Sequence, residues 1–152
     1  AKLNLARQHN QQGNNRRAER LLRDVIEQRP DMGDAHYMLG LLLAEGSDSM
    51  DGVIEHLGRA AELMPERPRV QYNYGLALQQ TNQRTEAEEA LLRANQLQPD
   101  TPDFLNALAI FYAQQNDWET AHRYAQRLAQ IRPNARRPQR LLQQIRRQLE
   151  VR

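Results

Sequence analysis

Cysteine is absent from the chain, which excludes a disulfide framework and any thiolate site for zinc. The compartment stays open, because periplasmic proteins also manage without cysteine. No apolar run of about 18 residues occurs, and the opening Ala1-Lys2-Leu3-Asn4-Leu5 lacks the apolar core of a leader, so neither a membrane span nor a signal peptide is visible. The first residue is not Met, and the first recurring unit begins part-way through a helix. The expectation is a soluble protein of a bacterial cytoplasm or periplasm with further residues upstream, where a targeting segment would lie. Aromatics are few, with two Phe and one Trp, as suits helices that pack through small and aliphatic side chains. Lys2 is the only lysine, so nearly all positive charge is arginine, which reads first as composition and only second as recognition.

Signatures of chemistry are missing too. There is no glycine-rich phosphate loop, nucleophile elbow or zinc-protease motif, so no catalytic residue, metal site or cofactor is expected and the chain reads as a non-enzyme. His9, His36, His56 and His122 form no metal-ligand pair at helical spacing. Most are expected in solvent, with His36, beside Tyr37, structural or exposed. Carboxylates such as Glu88 and Glu89 stand near Arg84 and Arg93, where ion pairs at a spacing of four explain them.

What the chain has is a period. Pro30, Pro65, Pro99 and Pro133 recur at intervals of 35, 34 and 34 residues, ahead of which the same template returns. In register, Leu5, Leu39, Tyr74 and Leu108 form one column and Ala6, Gly40, Gly75 and Ala109 the next. Others read His9, Leu43, Leu78, Tyr112; Ala18, Val53, Ala87, Ala121; Leu22, Leu57, Leu91, Ala125; and Val25, Ala60, Ala94, Leu128. Each unit therefore carries two apolar stripes of helical spacing, split by turn-forming residues: Gln12-Gly13-Asn14, Gly46-Ser47-Asp48-Ser49, Thr81-Asn82-Gln83 and Asn116-Asp117. First-helix columns first reach a spacing of 35 between Leu39 and Tyr74 and second-helix columns between Ala18 and Val53, which places the inserted residue in the turn from Gly46 to Ser49. Thr101-Pro102-Asp103 reads as a helix start with Thr as N-cap and Pro in the first helical position, and Pro68 and Pro138 are expected to serve likewise. The pattern predicts helices over 2–11, 15–28, 34–45, 50–63, 68–80, 84–97, 102–114, 118–131 and 137–150. The last has one narrow stripe, Leu141, Leu142, Ile145 and Leu149, amid Arg and Gln, and reads as a solvating cap.

Net charge is only +2, but unevenly spread. Residues 1–30 carry +4 (seven basic, three acidic), residues 31–65 carry −6 (one basic, seven acidic) and residues 134–152 carry +5 (six basic, one acidic).

The columns resemble the tetratricopeptide repeat, a helix-turn-helix unit of about 34 residues. Val70-Gln71-Tyr72-Asn73-Tyr74-Gly75-Leu76-Ala77-Leu78, followed by Glu86-Ala87-Glu88-Glu89-Ala90-Leu91 and Gln96-Leu97-Gln98-Pro99, carries the likeness best. Leu39-Gly40 and Trp118-Glu119-Thr120-Ala121 extend it. Ala6, His9 and Val53 depart from the usual residues. The resemblance implies an all-α fold, a right-handed superhelical array in one domain over 1–152. Its units fall at approximately 1–32, 33–66, 67–100 and 101–134, with a capping helix over 136–151.

It further implies that first helices line a concave groove for a peptide or helix of another protein. Carried onto this chain, the groove residues are Arg7; Asp34, Tyr37, Met38 and Leu41; Arg69, Tyr72, Asn73, Leu76 and Gln80; and Asp103, Asn106, Ala107, Ile110 and Gln114. Leu41, Leu76 and Ile110 make an aliphatic row, either open to a partner or packed against the neighbouring first helix. Tyr37 and Tyr72 flank it as expected hot spots, and Asn73, Asn106, Gln80 and Gln114 suit backbone recognition. The Lys, Arg and Asn cluster with which some members bind chaperone C-termini is absent: Arg7, Arg69 and Asn73 imitate it only in part, with no basic residue beside Tyr37 or Ala107.

The expected partner is thus another protein. The chain could also be the repeat portion of a larger bacterial envelope-assembly, redox or glycosyl-transfer protein. Nucleic-acid binding by the Arg-rich last helix is disfavoured by the missing aromatics and the acidic second unit. Self-association, basic ends to acidic middle, is a further possibility.

Overall fold

The computed structural model describes residues 1–46 and 49–151. Within them lie nine helices and no strand: α1 Lys2–Gln11, α2 Asn15–Gln28, α3 Gly33–Glu45, α4 Met50–Leu63, α5 Pro68–Gln80, α6 Arg84–Leu97, α7 Pro102–Gln114, α8 Trp118–Ile131 and α9 Arg136–Glu150. Each helix packs on the next, and the tightest associations are the pairs α1·α2, α3·α4, α5·α6 and α7·α8. Two boundaries differ from the sequence expectation, α3 and α9 each beginning one residue early.

The turns inside the pairs share one closure. Gly13, Asn82 and Asn116, which share one column, take φ of 78°, 60° and 61°. The following N–H reaches back to the first helix, Asn14 to His9 O at 2.8 Å, Gln83 to Leu78 O at 2.9 Å and Asp117 to Tyr112 O at 3.0 Å, as in a Schellman ending. Glycine adopts this left-handed turn freely, and asparagine tolerates it better than most residues. The second unit's turn includes Ser47 and Asp48, so the expected insertion there lies partly outside the described residues. Beside it, Ser49 caps α4, its Oγ accepting from Asp51 N at 3.1 Å.

Pro68 and Pro102 open α5 and α7 as expected. Pro138 does not open α9: it stands third, where an N–H would still lack an intrahelical acceptor, so the ring does no harm. Thr101 holds the N-cap position of α7 without capping it, since its hydroxyl turns back to donate to Gln98 O at 3.0 Å.

The core is a string of clusters between successive helices. Leu22, Leu39, Leu57, Leu78, Leu91 and Leu108 are fully buried, and each such burial contributes about 1.5–3 kcal/mol. The small column sets how closely a pair can approach. A Cβ on Gly40 would meet Leu57 Cδ2 at 2.7 Å, and one on Gly75 would meet Leu91 at 2.9 Å. In the fourth pair Ala109 shares its cluster with Ala125, which replaces the leucine of that column, while in the first pair Ala6 packs with Leu22 retained.

Junctions between pairs use a device the sequence reading missed. The fourth residue of α3, α5 and α9 ties back to the proline carbonyl that ends the preceding pair. His36 Nε2 donates to Pro30 O at 2.9 Å, Gln71 Nε2 to Pro65 O at 3.4 Å and Gln139 Nε2 to Pro133 O at 3.3 Å. These bonds satisfy carbonyls left over at a helix end. In α7 the same position is Leu105, which is buried and makes no such bond.

His56 corrects the expectation of solvated histidines, while His36 takes the structural role. Both are buried, with their Nδ1 atoms 3.1 Å apart. The antiparallel pairing of α3 and α4 brings these rings together although twenty residues separate them. The ion pairs differ as well: Arg93 reaches Glu66 at 3.9 Å across a junction rather than Glu89, and Glu88 accepts the Tyr112 hydroxyl.

Candidate functional site

The side chains of α3, α5 and α7 that the sequence assigned to a groove are tied to one another from helix to helix. Arg67, just before α5, bonds Asp34 at 2.6 Å. Asn73 Nδ2 donates to the Tyr37 hydroxyl at 2.8 Å. Arg69 pairs with Asp103 at 2.9 Å while its guanidinium lies over the rings of Tyr72 and Phe104, at 5.3 and 5.2 Å. Gln79 Nε2 donates to Gln114 Oε1 at 2.7 Å.

These bonds define what the face offers. Burial pushes the Tyr37 hydroxyl above its ordinary range, against the opposing pull of Asn73, Arg69 and Arg67, and burial followed by Asp103 does the same for Tyr72. Both stay protonated at neutral pH. Tyr37 accepts from Asn73 and keeps its hydrogen for donation.

The other assigned residues separate by burial. Leu41, Leu76 and Met38 are half-buried, packed against core clusters. Arg7, Gln80, Asn106, Ile110 and Gln114 are exposed. Ala107 is not available on the face, because it is buried among Leu78, Leu91, Leu108 and Phe111. Its column mates Met38 and Asn73 are only half-buried, which is why the column misled. Arg7 on α1 stands apart from the tied set.

Between α7 and α9 the face opens into a depression of about 400 Å³ with a mostly apolar floor. Ile110, Ala113, Trp118, Leu141 and Ile145 form that floor, and Ile110 is 36% exposed. Gln114, Gln144 and Gln148 border it. Only Ile110 and Gln114 were foreseen. Gln144 and Gln148 continue the Ile110 and Gln114 columns one period on, so the alignment reaches them once α9 is read as a fifth first helix rather than only as a cap.

Among the described residues no group of three or more potential metal ligands comes together, and no helix is long and apolar enough to cross a membrane.

Family models described as tetratricopeptide repeat match residues 3–49 and 42–110. Comparison with curated proteins gives no significant match. Among solved structures, MamA superposes with a TM-score of 0.90 at 18% identity, over 98% of this chain and 81% of that one. The pilF protein of Pseudomonas aeruginosa gives 0.78 at 23% identity, over 95% and 65%. A chain of the APC/C hetero-tetramer Cut9-Hcn1 gives 0.79 at 23% identity, over 95% of this chain and 29% of that one. Likeness at such identity carries the fold and nothing finer. With the two family models together spanning residues 3–110 and the same period displayed by the columns and helix pairs, the chain belongs to the tetratricopeptide repeat family.

Proposed function

We propose that this chain is a non-catalytic protein-interaction scaffold whose first-helix face holds a peptide or helical segment of a partner protein. In this reading residues 1–152 form one domain, with α9 capping the fourth unit. The observation that carries it is the row Leu41, Leu76 and Ile110, which runs across three successive first helices, with partly or openly accessible apolar surface at each. Exposed amides of Gln80, Asn106 and Gln114 lie along the same helices. Such a strip combines apolar area with donors and acceptors suited to a peptide main chain. Second helices supply the buried Ala and Leu columns and leave mainly charged residues outside, which makes them a poorer contact surface.

Peptides selected from a random display library on the full chain, then titrated against the isotope-labelled protein, test the reading. Amide shifts concentrated on α3, α5, α7 and α9 support it. Shifts concentrated on the outer residues of α4, α6 and α8 overturn it.

A further inference from the structure

We propose that the junction of α7 and α9 is the anchor point of the binding face, and that it takes a partner segment carrying a large apolar side chain flanked by carboxylates. The proposal rests on the reading of the first-helix face given above and names which end of it binds and what it selects.

At the inner junctions most polar groups are already paired, leaving chiefly the Tyr37 hydrogen and the amides of Gln80 and Asn106. Across α3 and α5 the polar groups are engaged by Tyr37–Asn73 and Asp34–Arg67, and across α5 and α7 by Arg69–Asp103 and Gln79–Gln114. A partner that bonds these groups must displace a bond already made, so the exchange returns little. The Tyr72 ring is similarly occupied, lying against Phe104 at 5.0 Å with the Arg69 guanidinium over both rings.

At α7 and α9 the situation reverses. No side-chain bond crosses this junction among the described residues, and the apolar floor lies open. The charge pattern supplies the selectivity. One column reads Asp34, Arg69, Asp103 and Arg137, alternating in sign, and Asp103 is already engaged by Arg69. Among the described residues Arg137 therefore meets no free carboxylate, and neither does Arg140, which stands in the column of Tyr37, Tyr72 and Asn106; no ion pair forms at either among them. Both are exposed on α9, Arg137 about one turn before Leu141 and Arg140 about one turn before Gln144. An apolar side chain seated on Ile110 and Leu141 would thus bring its neighbours toward two unneutralised guanidinium groups, which select carboxylates by complementarity.

The test uses library-selected peptides and the full chain, with binding read by fluorescence anisotropy. Expected are sequences in which an apolar residue has Asp or Glu close by. Affinity should fall at least about tenfold in Ile110→Glu and in the double variant R137E/R140E, with the charge-matched double change R20E/R123E at exposed positions of α2 and α8 altering it less than about twofold. Ile110, Arg137, Arg140, Arg20 and Arg123 are exposed, and circular dichroism melts check that each variant folds. Peptides whose shifts map to α3 and α5, and which ignore the α9 changes, overturn the anchor and leave the general reading standing. Failure to select any peptide, or binding to second helices, overturns both. A single-stranded DNA oligonucleotide that binds R137E/R140E-sensitively and displaces the peptides would make the end a phosphate site and overturn the proposal. So would sedimentation showing that a second copy of the chain occupies it.

Discussion

The Nδ1 atoms of His36 and His56 face each other at 3.1 Å between α3 and α4, and only one neutral arrangement of the two rings allows it. Pro30 O can only accept, so His36 carries its hydrogen on Nε2 and presents a bare Nδ1. His56 must then donate from Nδ1.

A first prediction concerns pH. Burial lowers the His56 pKa below the ordinary 6.5, and His36 and Arg23 lower it further while Glu55 raises it. Between that lowered value and 6.5 the unfolded chain binds more protons than the folded one, so this contribution to stability is complete above about pH 6.5 and is lost as pH falls. The third unit has Gln71 and Ala90 in these two columns. The double change H36Q/H56A should therefore flatten the dependence of the melting midpoint on pH between 5 and 8. Parallel curves for variant and parent would refute the assignment.

A second concerns the small column. Gly75→Leu should destabilise by about 1–3 kcal/mol in urea unfolding, because its Cβ alone would lie 2.9 Å from Leu91. Gly75→Ala combined with Leu91→Ala recreates the Ala109 and Ala125 pairing of the fourth unit. The double variant should lose less stability than the sum of its single changes, and strict additivity would contradict the packing account.

The left-handed turns give a third. Asn82→Val should cost about 1–2 kcal/mol, since a β-branched residue is poorly suited to φ of 60°, whereas Asn82→Gly should change stability by under about 0.5 kcal/mol. Equal losses in chemical denaturation would show that the asparagine side chain, and not its backbone, matters.

The proline carbonyls give a fourth. Gln71→Leu removes bonds to Ala61 O and Pro65 O of 3.3 and 3.4 Å and should cost about 0.5–1.5 kcal/mol. A neutral result would mean that water serves these carbonyls equally well.

Nearly all of the helix pattern was legible in the sequence because four units repeat each boundary signal, and the prolines and Asn or Gly turns punctuate it. What escaped depends on contacts between columns. His36 and His56 read as scattered polar residues until α3 and α4 are folded together. Ala107 shares a column with Met38 and Asn73 but packs under Leu108 and Phe111. The α7–α9 depression escaped because α9 read as a cap, which hid that Gln144 and Gln148 extend the columns of Ile110 and Gln114.

The bonds linking first helices are confined to α3, α5 and α7 among the described residues. Two of these ties, Arg67–Asp34 and Arg69–Asp103, are exposed ion pairs that salt screens, while Asn73–Tyr37 and Gln79–Gln114 are neutral, so concentrated salt would slacken only half of the lacing.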